Sequence, residues 1–155
     1  MNLKKIIATL SFLLLLSCGY EPIHSKKINN SNYNFSINTI NYIGDNKVNQ
    51  ILKNKLKKKS NKEKKSLVLN INSRVEKVVT SKDKKGNPIR FSIEIIIDLE
   101  VFESGISKSK KNFEENFEYN NKSKKFDLEQ YEKNIKNNLI SKLSDEIIRY
   151  LNSLR

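Results

Sequence analysis

The chain has 155 residues, a length typical of one domain. It carries 30 Lys and Arg against 17 Asp and Glu, a formal charge of +13, which AT-rich coding can produce without any functional cause. One cysteine excludes an internal disulfide, one histidine excludes a His-based metal site, and no nucleotide-binding glycine loop, zinc-protease helix or nucleophile elbow occurs.

The chain begins with a pattern typical of a bacterial lipoprotein signal. A short basic region, 2–5, precedes an apolar stretch of eleven residues, 6–16. That stretch is too short to span a bilayer, since a spanning helix needs about 20 residues. "LLSC" then resembles a lipobox, in which the cysteine thiol is diacylated and the peptide is cut before the cysteine. The pattern predicts a signal peptide over 1–17 and lipidation at Cys18; the alternative is a secretory signal with an incidental cysteine.

Lipidation determines where we expect the protein to reside. Two or three acyl chains, each stabilised by about 0.8 kcal/mol per buried CH₂, hold a protein firmly on a membrane. In many Gram-negative bacteria an Asp after the cysteine retains a lipoprotein in the inner membrane, so Gly19 indicates the outer membrane, with the protein on its periplasmic side. The polar residues that follow predict a lipidated tether over 18–32. We expect no cofactor besides the covalent lipid on Cys18.

The first part of the remaining chain predicts a strand followed by a helix. Alternating apolar residues at the start of 33–43 are typical of a strand. After the break at Gly44, Asp45 is positioned to cap a helix in which Val48, Ile51, Leu52 and Leu56 recur at helical spacing. A basic loop over 55–65 ends this unit.

The middle of the chain predicts two strands joined by a turn. Residues 66–80 alternate, 81–88 contain Gly86 and Asn87 and indicate a turn, and 89–102 alternate most clearly of all. In both strands the odd-numbered apolar residues, Val79 and Ile89 among them, are expected to face the core. The even-numbered face of 89–102 is polar, which is typical of an antiparallel sheet with one buried and one solvated face.

The last part predicts a turn at 104–111, a weaker strand at 112–120 and a long closing helix. Asp127 and Gln130 form a capping-box pattern, with Phe126 and Tyr131 at the hydrophobic-staple positions. The apolar stripe of this helix consists of Leu128, Tyr131, Ile135, Leu139, Leu143, Ile147, Leu151 and Leu154.

The order β-α-β-β-β-α predicts one α+β domain over 33–155. Each helix has an apolar stripe that needs a partner, and the odd-numbered face of 89–101 provides one. The expected architecture is a two-layer sandwich with two helices packed on one face of a four-stranded, mostly antiparallel sheet.

These features in this order resemble a known family, the LPS-assembly lipoproteins of the LptE type. The resemblance rests on "CGYEP", "VNQILKNKL", "KKGNP" leading into "IRFSIEIIIDLEVF", and "EYNNKSKKFDLEQYEKNIKNNLISKLSDEIIRYL", and it covers nearly the whole mature chain. The heavy Lys and Asn content departs from the family. The resemblance implies a protein that binds one-to-one inside the outer-membrane β-barrel LptD, plugs it, assists its folding and contacts lipopolysaccharide (LPS).

The resemblance also implies where LPS is contacted. Lys84 and Lys85 stand where family members carry a basic residue beside the turn glycine, and Lys124 and Lys125, just before the last helix, match more loosely. Lys side chains can donate charge-assisted hydrogen bonds to the phosphates and carboxylates of LPS. The alternative for each of the four is a solvated surface charge.

A nucleic-acid-binding protein is one rival interpretation, because the pI is about 9.7. However, Phe91, Phe113 and Phe117 follow the core-facing alternation and do not form an exposed stacking platform. A secretory signal also removes the protein from cytoplasmic DNA and RNA, so we expect no nucleic-acid partner.

An enzyme is a second rival, since Glu94, Asp98 and Glu100 share one face of a strand. Catalytic carboxylates need environments that separate their pKa values, and no such environment is indicated.

A third rival is another outer-membrane accessory lipoprotein, such as a pilotin or a transporter-associated protein. It would share the anchor and the small α+β domain.

Overall fold

The structure is a computed structural model, and it describes residues 35–56 and 65–154. The signal peptide predicted at 1–17, the tether predicted at 18–32 and Cys18 lie outside the described residues. Their boundaries and the lipidation remain predictions.

Four strands and two helices follow one another in the predicted order. They are β1 (Phe35–Gly44), α1 (Asn46–Lys55), β2 (Lys65–Lys82), β3 (Pro88–Glu103), β4 (Ile106–Asn120) and α2 (Lys125–Ser153). The strands form one sheet in the order β1-β2-β3-β4; β1 runs parallel to β2, and the other two pairs are antiparallel. The predicted α+β class and the β-α-β-β-β-α order are confirmed.

The reversal from β1 into α1 is built from Gly44, Asp45 and Ser73. Gly44 has φ +97°, in the left-handed region that favours glycine. The Asp45 carboxylate accepts hydrogen bonds from the backbone N–H groups of Lys47 and Val48, both at 2.9 Å, so the predicted helix cap is confirmed. The Asp45 N–H donates to the Ser73 carbonyl oxygen at 3.1 Å and joins the reversal to β2.

The core lies between one face of the sheet and the two helices. The predicted apolar stripe of α2 faces it, with Leu143 and Ile147 fully buried. Burying apolar surface stabilises the fold by roughly 25 cal/mol per Å². The largest fully buried side chains are Val48, Leu52, Leu69, Ile71, Ile93, Ile95, Ile97, Leu99, Ile140, Leu143, Ile147 and Leu151. We call the opposite side of the sheet, which neither helix covers, the open face.

The fourth strand is longer than its pattern indicates, so the turn predicted at 104–111 is wrong. The turn is only Ser104–Gly105, whose φ angles are 52° and 79°, and β4 begins at Ile106. The extension pairs with β3 through Lys110, whose ammonium lies 3.0 Å from the Glu100 carboxylate. Cross-strand ion pairs of this kind support a ladder that has little apolar alternation.

The predicted start of the last helix is also wrong. Lys124 is the N-cap residue and makes no side-chain capping bond, while Asp127 lies in the first turn. The capping box is therefore absent, and Phe126 is 75% exposed, so the staple is absent as well. Asp127 still interacts favourably with the positive end of the helix dipole.

Candidate functional site

The turn between β2 and β3 presents the first pair of predicted LPS-contacting lysines. The Asp83 carboxylate accepts hydrogen bonds from the Lys85 N–H at 2.8 Å, the Asn87 N–H at 2.9 Å and the Asn87 side-chain amide at 3.0 Å. The side-chain bond from Asn87, followed by the backbone bonds, lowers the pKa of Asp83. These bonds order the turn, and the side chains of Lys84 and Lys85 are exposed on it.

The second predicted pair lies at the same end of the sheet. After β4, the Asn121 N–H donates to the Ile89 carbonyl oxygen at 2.9 Å, and the Asn121 side-chain amide donates to the Pro88 carbonyl oxygen at 2.8 Å. The loop that leads to Lys124 and Lys125 is therefore fastened to the start of β3, directly after the β2–β3 turn. The structure thus brings the four predicted residues to one end of the domain.

We call this region, residues 82–90 and 118–125, the basic end. It carries three basic residues besides the four predicted ones: Lys82, Arg90 and Lys122. The carboxylates in the two ranges belong to Asp83, which accepts the hydrogen bonds of the turn, and Glu118, which lies 3.9 Å from Arg90. Positive charge is therefore in excess there, which suits a ligand with several anionic groups.

Exposed apolar side chains accompany these charges. Val79 is 43% exposed and Ile89 is 47% exposed, so the prediction that they face the core is wrong. Both continue the alternation of apolar residues, but they lie near the β2–β3 turn, where the helices leave them partly uncovered. The alternation in the sequence correctly identified the apolar face of the two strands. It could not show where the helices stop covering that face.

A half-buried charge network lies beneath the basic end. The Glu132 carboxylate on α2 lies 2.6 Å from the Lys77 ammonium and accepts a hydrogen bond from the Tyr119 hydroxyl at 2.8 Å. Burial would raise the pKa of Glu132, but the bonds from Lys77 and Tyr119 outweigh it and lower that pKa. Burial and the nearby carboxylate raise the pKa of Tyr119. The network joins α2 to β2 and β4, and no sequence pattern indicated it.

The carboxylates of the enzyme hypothesis lie on the open face. Asp98 accepts hydrogen bonds from Arg74 at 2.9 Å and from the Asn112 amide at 2.8 Å. Glu100 pairs with Lys110, and the bonds from Lys110 and then Ser107 lower the pKa of Glu100. A shallow cavity of about 660 Å³ lies beside them, lined mainly by Asn and charged side chains.

Glu94 differs from these two carboxylates. A hydrogen bond to Glu114 is the main cause that raises its pKa, followed by desolvation and the charges of Glu114 and Glu76.

Within residues 35–56 and 65–154, no group of three or more His, Cys, Asp or Glu side chains is arranged to hold a metal ion. Over the same residues, no helix is both long enough and apolar enough to cross a membrane.

Comparison with known proteins identifies similar structures but no similar sequences: no family model and no curated protein matches the chain. Rare lipoprotein B from Shewanella oneidensis has a TM-score of 0.57 at 12% identity, over 75% of this chain and 95% of its own. A minor lipoprotein from Acinetobacter baumannii has 0.55 at 13% identity, over 74% and 90%. Lipoprotein B from Nitrosomonas europaea has 0.52 at 11%, over 74% and 82%.

At identities this low, the likeness establishes the fold alone. The sheet and its two helices form an arrangement that solved bacterial lipoproteins share, and each of the three structures is matched over most of its own length.

Proposed function

We propose that this chain is a lipid-anchored lipoprotein on the periplasmic side of the outer membrane that assists LPS assembly. In this proposal the domain binds and plugs the LPS-export barrel, of the LptD kind, and contacts LPS through Lys84, Lys85, Lys124 and Lys125. It acts by binding, without catalysis and with no cofactor besides the covalent lipid.

The lipoprotein part of the proposal has two independent supports. The first is the lipobox-like sequence that ends at Cys18. The second is the fold, since the solved structures that it resembles are described as bacterial lipoproteins. The test is the intact mass of the protein from Gram-negative membranes. A mass that fits a chain starting at Cys18 with two or three acyl chains supports the anchor, whereas an unmodified full-length chain contradicts it.

The LPS part is carried by one observation, the convergence of the two lysine pairs at the basic end. The bonds of Asn121 to Pro88 and Ile89 produce this convergence. LPS combines phosphates with acyl chains, and the basic end combines ammonium groups with the exposed side chain of Ile89, while exposed Val79 lies three residues before the basic end on β2. Charge-assisted hydrogen bonds to phosphate oxygens are stronger than neutral ones.

The carboxylates of the open face support a role without catalysis. Asp98 and Glu100 are each held by a basic partner and an amide or hydroxyl, as expected for surface ion pairs in a β-ladder. The raised pKa of Glu94 follows from its carboxylate neighbours on an exposed strand face.

The LPS contact is tested by charge reversal with a matched control. Lys84→Glu with Lys85→Glu should weaken LPS binding about tenfold or more, because two attractive charges become repulsive. The control, Lys47→Glu with Lys53→Glu, makes the same change in net charge on exposed positions of α1. Binding is measured with purified LPS, and circular dichroism verifies the fold. Equal binding by both variants would remove the site assignment.

The barrel contact is tested by mild detergent extraction and mass spectrometry of the proteins that remain bound. Recovery of an LPS-export barrel in a one-to-one complex supports the proposal. Recovery of a secretin instead would favour a pilotin, and binding of random DNA with steep salt dependence would favour a nucleic-acid-binding lipoprotein.

A further inference from the structure

The two edges of the sheet differ sharply in charge. On β4, one edge strand, six of the fifteen residues are charged, whereas β1, the other edge strand, has none among ten. The chain as a whole is 30% charged, so a charge-free edge departs from its general composition. Charged side chains on an edge strand discourage pairing with another polypeptide. Only β4 has this protection.

The outer edge of β1 is open along residues 38–43. Among the residues that the structure describes, β1 pairs with β2 alone, so alternate backbone N–H and C=O groups point away from the sheet. The side chains of Asn38, Thr39 and Asn41 are exposed, and Ile43 is 69% exposed. Such a row of backbone donors and acceptors can bind an extended strand, whose main chain supplies matching groups.

We propose that residues 38–43 of β1 form the docking surface for an extended segment of the partner barrel, which adds to the sheet as a fifth strand. This inference rests on the proposed function and specifies how the domain attaches. The lumen of a barrel is polar, and an uncharged polar edge can enter it without leaving a buried charge unpaired. A second copy of the chain fits the same edge less well, because each copy keeps a formal charge of +11 after Lys4 and Lys5 leave with the predicted signal peptide.

Hydrogen exchange distinguishes the possible occupants. The measurement compares backbone amides in the free protein and in its co-purified complex with the barrel. Amides of 38–43 should exchange more slowly in the complex, while those on the outer edge of β4 should not change. A complex in which the 38–43 amides exchange as in the free protein overturns the inference and leaves the proposed function intact. If no complex forms, the proposed function fails and the inference with it.

Two matched variants provide a second readout. Thr39→Lys with Ile43→Lys places two charges on exposed positions of β1, and Ile106→Lys with Asn116→Lys places two on exposed positions of β4 outside the basic end. The β1 variant should lower recovery of the barrel about tenfold, and the β4 variant should leave it unchanged. Both should keep the far-UV circular dichroism of the parent. Equal recovery overturns the inference, as does concentration-dependent dimerisation that the β1 variant abolishes, since this would identify a second copy as the occupant.

Discussion

Gly44 is the described glycine at which an added methyl group should destabilise the fold most. A Cβ added there would lie 1.9 Å from the Ser73 carbonyl oxygen, well inside any real contact. The obstacle is backbone, so relief requires β1 and β2 to separate locally. That carbonyl also accepts the Asp45 N–H, and the Ser73 hydroxyl donates to the Asn49 side-chain oxygen at 2.8 Å, so separation endangers both bonds.

The expected loss can be assembled from these contributions. A non-glycine residue in the left-handed region costs about 1 to 2 kcal/mol. Each hydrogen bond lost at the Ser73 junction costs about 1 kcal/mol more. Gly44→Ala should therefore lower the free energy of unfolding by about 3 to 4 kcal/mol, measured by urea unfolding followed with circular dichroism.

Gly86→Ala is the matched control. Gly86 also has a positive φ, +86°, but a Cβ there would meet no atom within 4 Å. Gly86→Ala should lower the free energy of unfolding by only about 1 to 2 kcal/mol, the cost of a non-glycine residue in the left-handed region. If Gly44→Ala and Gly86→Ala lower stability equally, the contact with Ser73 contributes nothing and the reasoning from steric overlap is refuted.

Three further predictions use the same urea curves. Leu143→Ala removes a fully buried side chain and should lower the free energy of unfolding by about 2 to 5 kcal/mol. A loss below about 1 kcal/mol would contradict the described core. Burial raises the pKa of Tyr42 to about 12, and its buried hydroxyl has no hydrogen-bond partner within residues 35–56 and 65–154. Tyr42→Phe should therefore raise stability by about 1 kcal/mol, and a loss would reveal a partner for that hydroxyl. Glu132→Gln should lower stability at neutral pH. Because the folded-state pKa of Glu132 is lowered, its contribution is present above the unfolded-state pKa and is lost as the pH falls through the folded-state pKa. The difference between Glu132→Gln and the parent should thus shrink as the pH falls below about 4.3, the ordinary pKa of Glu, and vanish only below the lowered folded-state pKa. A difference independent of pH would exclude the bonds from Lys77 and Tyr119 as its cause.

The sequence predicted correctly those elements that depend on interactions between residues close together in the chain. The alternation of residues 89–102 predicted β3 because the side-chain period of a strand separates a buried face from a solvated one. Asp45 predicted the start of α1 because an N-cap carboxylate needs only the next few N–H groups. Both depend on residues within a few positions of one another, which a sequence displays directly.

The extent of β4 and the shared location of the two lysine pairs depend on contacts between residues that are far apart in the sequence. Residues 106–111 have little apolar alternation, and they form a strand because β3 pairs with them through contacts such as Lys110 with Glu100. The shared location of the two lysine pairs depends on Asn121, whose amide bonds a carbonyl 33 residues away. The lysines could be suggested from the sequence, whereas their convergence could not, because nothing near Asn121 specifies Pro88 as its partner.

The long strands also separate the basic end from the point where the described chain begins. Phe35 pairs with Lys65 in the sheet, and Leu67 pairs with Glu103, so β1 starts beside the far end of β3. The sixteen residues of β3, Pro88–Glu103, extend for about 50 Å at about 3.3 Å per residue. The described chain therefore begins at the end of the sheet opposite the four lysines. Because the four lysines lie far from this end, a change in the length of the predicted tether should leave the contacts that they make with LPS unaltered.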